Sequence, residues 1–84
     1  MYKLFVGGLP FSTTDDELKE AFEAHGKVAS ATVVRDRDTG RSKGFGFVEF
    51  ENEDEGKAAQ AAMNGSDMGG RTIMVDVARP KENR

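Results

Sequence analysis

The chain has no cysteine. Neither a disulfide framework nor a thiolate zinc site can therefore hold the fold together, and apolar packing must do so alone, in keeping with a reducing compartment. A single histidine, His25, stands beside an expected helix end without the partner that a metal site or an acid–base pair needs. Apolar runs are short: none approaches the roughly 20 residues that span a bilayer, and the first eight residues, MYKLFVGG, contain no stretch of signal-peptide length. The expectation is a soluble intracellular protein, cytoplasmic in the first instance, with nucleus and organelles left open. Positive charge is also scarce. Twelve Lys and Arg face 15 Asp and Glu, a net charge of −3 and a sequence pI near 5.1, which argues against binding that rests on phosphate neutralisation.

What is present is enough for one domain. Eighty-four residues with 37% apolar content supply a modest core and no second module, so a domain over 1–80 with a short flexible tail over 81–84 is expected. The acids are not spread evenly. Asp15, Asp16, Glu17, Glu20, Glu23, Glu51, Glu53, Asp54 and Glu55 cluster in two segments that look helical. Outside them, Arg35, Arg37, Arg41 and Lys43 share one loop region, and Arg71, Arg79, Lys81 and Arg84 flank the last strand and tail. That distribution suggests a basic rim around a sheet.

Periodicity sets the elements in the order βαββαβ. Leu4-Phe5-Val6 is β-prone and is closed by Gly7-Gly8; alternation puts Leu4 and Val6 on one face and Phe5 on the other. Thr14-Asp15-Asp16-Glu17 has the form of a capping box, and Leu18, Ala21 and Phe22 recur at helical spacing until His25-Gly26, predicting a helix over roughly 15 to 24. Val28 to Val34 is β-branched and small, with Val28, Ala31 and Val33 buried and Thr32 and Val34 outward. Asp36 to Ser42 holds turn formers and no apolar residue, so it reads as a mobile hairpin loop. In Lys43 to Phe50, Val48 and Phe50 share one face, and Lys43, Phe45, Phe47 and Glu49 share the other. Asn52 with Glu55 offers a second cap for an alanine-rich helix through Ala58, Ala59, Ala62 and Met63, ending at Asn64-Gly65. After Gly69-Gly70, Ile73, Val75 and Val77 alternate with Met74 and Asp76 in a last strand broken by Pro80.

The aromatics carry the functional argument. Two helices can cover only one face of a four-stranded sheet, and Phe5, Phe45 and Phe47 belong to the other. Leaving each ring in water forfeits about 1.5–3 kcal/mol relative to burial, so something else is expected to cover them. Nucleobases suit the task, because each has a flat π-face and stacking on an aromatic ring is worth about 1–3 kcal/mol per base. Gly44 and Gly46, which lack side chains, are expected to face the helices and let them approach the sheet.

Lys43 to Phe50 fits every position of the long octapeptide of the RNA recognition motif family, and Leu4 to Leu9 resembles that family's shorter hexapeptide, so the resemblance covers nearly the whole chain. The resemblance implies an α+β, ferredoxin-like sandwich: a four-stranded antiparallel sheet in spatial order 4-1-3-2 with two helices on one face. It implies a monomer that binds single-stranded RNA without catalysis or cofactor, in RNA processing, stability or translation control. By the same resemblance Phe5 and Phe47 each stack a base, Phe45 packs against sugars, and Lys43 meets a phosphate, while Phe22 and Phe50 are core. Lys3, Arg41 and Arg79 join as further RNA contacts, and Thr32, Glu49, Met74 and Asp76 share the outer face as candidate readers of base edges. Three positions depart from the common family pattern: Gly8 where Asn is frequent, Gln60 where an apolar residue is usual, and Gly56 where Ala is common. The last two imply a less stable second helix.

Other readings make distinct demands. The same rings could instead form a homodimer or a protein-binding face. Small acylphosphatases share the βαββαβ order, yet the Gly7-to-Ser12 connection lacks the arginine of their phosphate cradle. Gly44-x-Gly46 lacks the third glycine and following helix of a dinucleotide loop. Stacking does not sense the 2′-hydroxyl, so single-stranded DNA stays open as a partner, and base preference is not encoded in the rings.

Overall fold

Alternation and local capping produce the expected elements, with one addition. The computed structural model describes residues 2–78, and the elements run β1 (Tyr2–Gly7), α1 (Asp15–Glu23), β2 (Val28–Arg35), β3 (Ser42–Phe50), α2 (Glu53–Met63), β4 (Asp67–Met68), β5 (Arg71–Thr72) and β6 (Met74–Val77). The sheet order is β2-β3-β1-β6, all antiparallel, which is the order expected. The addition is a two-stranded hairpin of β4 and β5 turning at Gly69-Gly70, where the sequence suggested only a turn. Ile73, expected in the last strand, precedes β6. It is fully buried and tied by backbone bonds to Gly65 and Ser66.

One core lies on one side of the sheet. Leu4, Val6, Val33, Val48, Phe50 and Val75 meet Leu18 and Phe22 from α1 and Ala59 from α2. Phe22 and Phe50 pack edge to face with ring centroids 6.4 Å apart, as the core assignment of both required. Within β2 the buried positions switch parity, from Val28 to Ala31 and Val33. A register shift between Val28 and Ser30 accounts for it, because one extra residue in a strand returns the next side chain to the same face.

Thr14 caps α1: its hydroxyl accepts from the Glu17 N–H and the Glu17 carboxylate accepts from the Thr14 N–H, the reciprocal box expected. At α2 the cap is Asn52 alone, accepting from Asp54 and Glu55. The Glu55 carboxylate reaches across to the Lys27 N–H instead, at 2.8 Å.

The two edge strands are blunted by helix side chains. On β2, the Asp15 carboxylate accepts from the Val33 N–H at 2.7 Å. On β6, the Gln60 amide donates to the Val75 carbonyl at 2.8 Å, and the Asn64 side chain accepts from the Val75 N–H at 3.0 Å. Buried edge groups that lack a strand neighbour need such partners. Gln60 is thus a partner of the sheet edge, and Gly56 lies beneath the Tyr2 ring, where a methyl group would clash. Both departures from the family pattern have a tertiary use, which at Gly56 offsets the low helix propensity of glycine.

Candidate nucleic-acid interface

The face of the sheet opposite the core is covered by no element among the described residues. Register lines up one row across all four strands: Asp76 on β6, Phe5 on β1, Phe47 on β3 and Thr32 on β2. The row on one side holds Met74, Gly7 and Phe45, and the row on the other holds Lys3, Glu49 and Ser30.

Gly7 explains how the three rings meet. The Phe5 ring leans over it so closely that a Cβ there would stand 3.1 Å from the ring, and the lean brings Phe5 beside Phe45, the cross-strand partner of Gly7. Ring centroids are 5.6 Å apart for Phe5 and Phe45, 5.8 Å for Phe5 and Phe47, and 6.4 Å for Phe45 and Phe47. The planes are tilted by 35°, 64° and 88°, so the rings form one continuous apolar patch of half-buried side chains that present faces at different angles. Edge-to-face contacts relieve part of their exposure, and the rest stays available for stacking.

Polar groups frame this patch. The Lys3 ammonium stands 4.7 Å from the Phe47 centroid, a cation–π contact that keeps a positive charge at the rim of the rings. Glu49 accepts from the Ser30 hydroxyl at 2.8 Å, and Asp76 accepts from the Val77 N–H at 2.7 Å, so both carboxylates are oriented. Met74 is 67% exposed, and Thr32 and Lys43 are also exposed. The three ion pairs found among the described residues, Lys19 with Glu23, Lys27 with Glu51 and Lys57 with Glu53, all lie on the helices and their flanks. None engages Lys3, Lys43, Arg35 or Arg41.

Two expectations need correction. Gly46 does face the core, beside Leu18 and the Thr32 carbonyl, but Gly44 does not face a helix. It adopts φ 85°, open to glycine at no steric cost, and a side chain there would meet the Phe11 ring at 3.3 Å. The hairpin loop is also built rather than open. The Asp36 carboxylate accepts from the N–H groups of Asp38 and Thr39, and these bonds, with a smaller effect of Lys43, hold its carboxyl below the ordinary value. Backbone bonds between Asp36 and both Gly40 and Arg41 close the turn. Arg41 therefore stands on a defined turn, off the sheet. Arg79, Pro80 and the tail over 81–84 lie outside the described residues.

One exposed aromatic was not anticipated. Phe11, in the connection between β1 and α1, is 63% exposed and lines a cleft of about 530 Å³ together with Ser12, Arg35, Gly40, Arg41 and Ser42. The Arg71 guanidinium lies over its ring, 5.5 Å from the centroid. The signal in the sequence is an aromatic among Ser and Thr with no periodic apolar partner, which neither helix nor strand can bury.

An open antiparallel sheet with clustered aromatics on its free face and two helices on the other defines an α+β sandwich built to present a planar surface. Comparison with known proteins makes the assignment specific. The RNA recognition motif model matches residues 4–74, and the chain belongs to that family. It is 49% identical over 81 residues to the mitochondrial glycine-rich RNA-binding protein 4 of Arabidopsis thaliana, covering 96% of this chain and 60% of that protein. It is 51% identical over 81 residues to the chloroplastic small RNA-binding protein 11 of Arabidopsis thaliana, covering 96% and 56%. The chain thus spans little more than half the length of these relatives. Among solved structures, a Sxl-lethal protein/RNA complex superposes with a TM-score of 0.88 at 35% identity, covering 95% of this chain and 48% of that one.

Proposed function

We propose that the chain binds single-stranded RNA on the free face of its sheet, with bases stacked on Phe5 and Phe47 and sugars against Phe45. The observation that carries this reading is the approach of three rings to 5.6–6.4 Å on a face that no helix covers. Stacking is tolerant of base identity and draws little on net charge, which suits an acidic chain. Lys3 and Lys43 take phosphates at the rim. Thr32 and Asp76, in the same row as the stacking rings, and Glu49 and Met74, in the rows beside it, meet base edges. The names of the matched relatives support the same ligand. They also support an organellar setting over the cytoplasmic one expected from the sequence. The proposed role is binding in RNA processing, stability or translation control, without a reaction.

The test is titration of short single-stranded RNAs against Phe45→Ala and Phe47→Ala. Each removed ring is expected to weaken binding by about 1–3 kcal/mol. Unchanged affinity in a folded variant would overturn the proposal, and self-association through the same rings in sedimentation would replace it with a protein interface.

A further inference from the structure

Asn64-Gly65 closes α2 and is the one Asn-Gly pair of the sequence: Asn52, Asn64 and Asn83 are followed by Glu53, Gly65 and Arg84. That pair has a chemistry of its own. Glycine has no side chain to keep a preceding carboxamide off its backbone nitrogen, so an Asn-Gly bond cyclises to a succinimide more readily than other asparaginyl bonds. Both residues are exposed, and a Cβ at Gly65 would meet no atom within 4 Å, so burial does not protect the pair from water. Hydrogen bonds and backbone geometry do. Asn64 has ψ 122°, which turns the Gly65 nitrogen away from the carboxamide carbon of Asn64. The Gly65 N–H donates to the Ile73 carbonyl at 2.8 Å, and the Asn64 side-chain oxygen accepts from the Val75 N–H at 3.0 Å. Ring closure requires ψ to rotate, the Gly65 proton to leave and the carboxamide to swing toward the main chain. Those movements break the bonds to Ile73 and Val75, so closure is tied to release of the segment that forms β6.

We infer that Asn64 is a site of spontaneous covalent modification by deamidation, held back by the folded chain and released when the β6 edge opens. In the first step the Gly65 nitrogen loses its proton and bonds to Cγ of Asn64, the Cγ–Nδ2 bond breaks, and Nδ2 leaves as ammonia with that proton. Water then opens the ring, and neither an oxidant nor a reductant enters. Opening at Cγ gives aspartate, which keeps an oxygen for the Val75 N–H. Opening at the main-chain carbonyl gives isoaspartate, whose main chain runs through the former side chain and is longer by one carbon. The longer link displaces Gly65 from Ile73 and withdraws the acceptor from Val75, so an edge strand loses two of its ties. That strand carries Met74 and Asp76 on the free face, and its loosening weakens the platform there. The loss of RNA binding rests on the reading of the sheet as an RNA surface; the modification does not.

The experiment incubates the full chain at mildly alkaline pH, folded and in denaturing urea. The fragment over 58–71, released by cleavage after Lys57 and Arg71, is then followed by mass and by chromatographic separation of aspartyl from isoaspartyl forms. Conversion at Asn64 is expected in urea, and about 10-fold or more slowly in the folded chain, because local opening must come first. Gln60→Leu, which removes the donor to the Val75 carbonyl, should raise the folded rate about fivefold and leave the rate in urea unchanged. An Asn64 that stays intact in urea overturns the site. Equal rates in the folded and unfolded chain, or no acceleration by Gln60→Leu, overturn the control by the β6 edge. The isolated isoaspartyl chain should bind a short single-stranded RNA more weakly than either the unmodified chain or N64D, and equal binding by all three overturns the link to RNA. If the unmodified chain ignores RNA, the sheet reading fails and that link with it, while the deamidation rates still decide the site.

Discussion

Val75 lies on an edge strand, and both of its backbone groups are answered from the helix side, its carbonyl by Gln60 and its N–H by Asn64. This makes a sharp prediction about sign. Gln60→Leu restores an apolar residue with good helix propensity, and on propensity alone it should be neutral or stabilising. Because it leaves a part-buried carbonyl without its donor, we expect destabilisation of about 1 kcal/mol, measured as a lower denaturant midpoint at constant slope. A higher midpoint would show that the edge bond contributes nothing. The same position marks the limit of reading residues one at a time. Phe5, Phe47, Phe22 and Phe50 were legible because alternation and helical spacing are local rules. Gln60, Gly44 and Phe11 were not, because their reasons lie in an edge carbonyl, a positive φ and a cleft that exist only once separate segments meet.

Elements were legible wherever their signals are contained within a few residues. The Thr14 and Glu17 box is such a case; the bulge in β2 is not, since it is visible only as a change of parity against β3. The turn between β2 and β3 falls between these. Its residues announce a turn, but its order depends on one carboxylate. Hydrogen bonds from Asp38 and Thr39 hold the Asp36 carboxyl below its ordinary 3.8. A depressed value in the folded state means that the contribution is present above 3.8 and is lost as pH falls through the lowered value. The amide protons of Asp38 and Thr39 should therefore shift together in an NMR titration, with a midpoint below 3.8. A midpoint at or above that value would show that the carboxylate does not order the turn. The consequence reaches the site, because this turn sets where Arg41 stands.

At the scale of the whole molecule, net charge is a poor guide to the surface that meets a ligand. Nine acids lie in the two helices and their flanks, where Lys19, Lys27 and Lys57 are ion-paired with three of them. Setting these residues aside leaves nine cations against six acids, so the remainder of the chain is net positive by three although the whole is −3. The acidic total still limits how much affinity charge can supply, because helix-side carboxylates repel an incoming polyanion at low ionic strength. Binding should then be led by the rings, with only a few phosphate contacts from Lys3, Lys43 and the turn. For single strands each such contact adds about −0.7 to the slope of log K against log salt, so about three contacts predict a slope near −2. Measured between 50 and 200 mM salt, Lys43→Gln should flatten that slope by about 0.7, while Phe47→Ala should lower affinity at every salt concentration and leave the slope as it was. A slope steeper than about −4 in the wild-type chain would mean that phosphate neutralisation, not stacking, carries the binding.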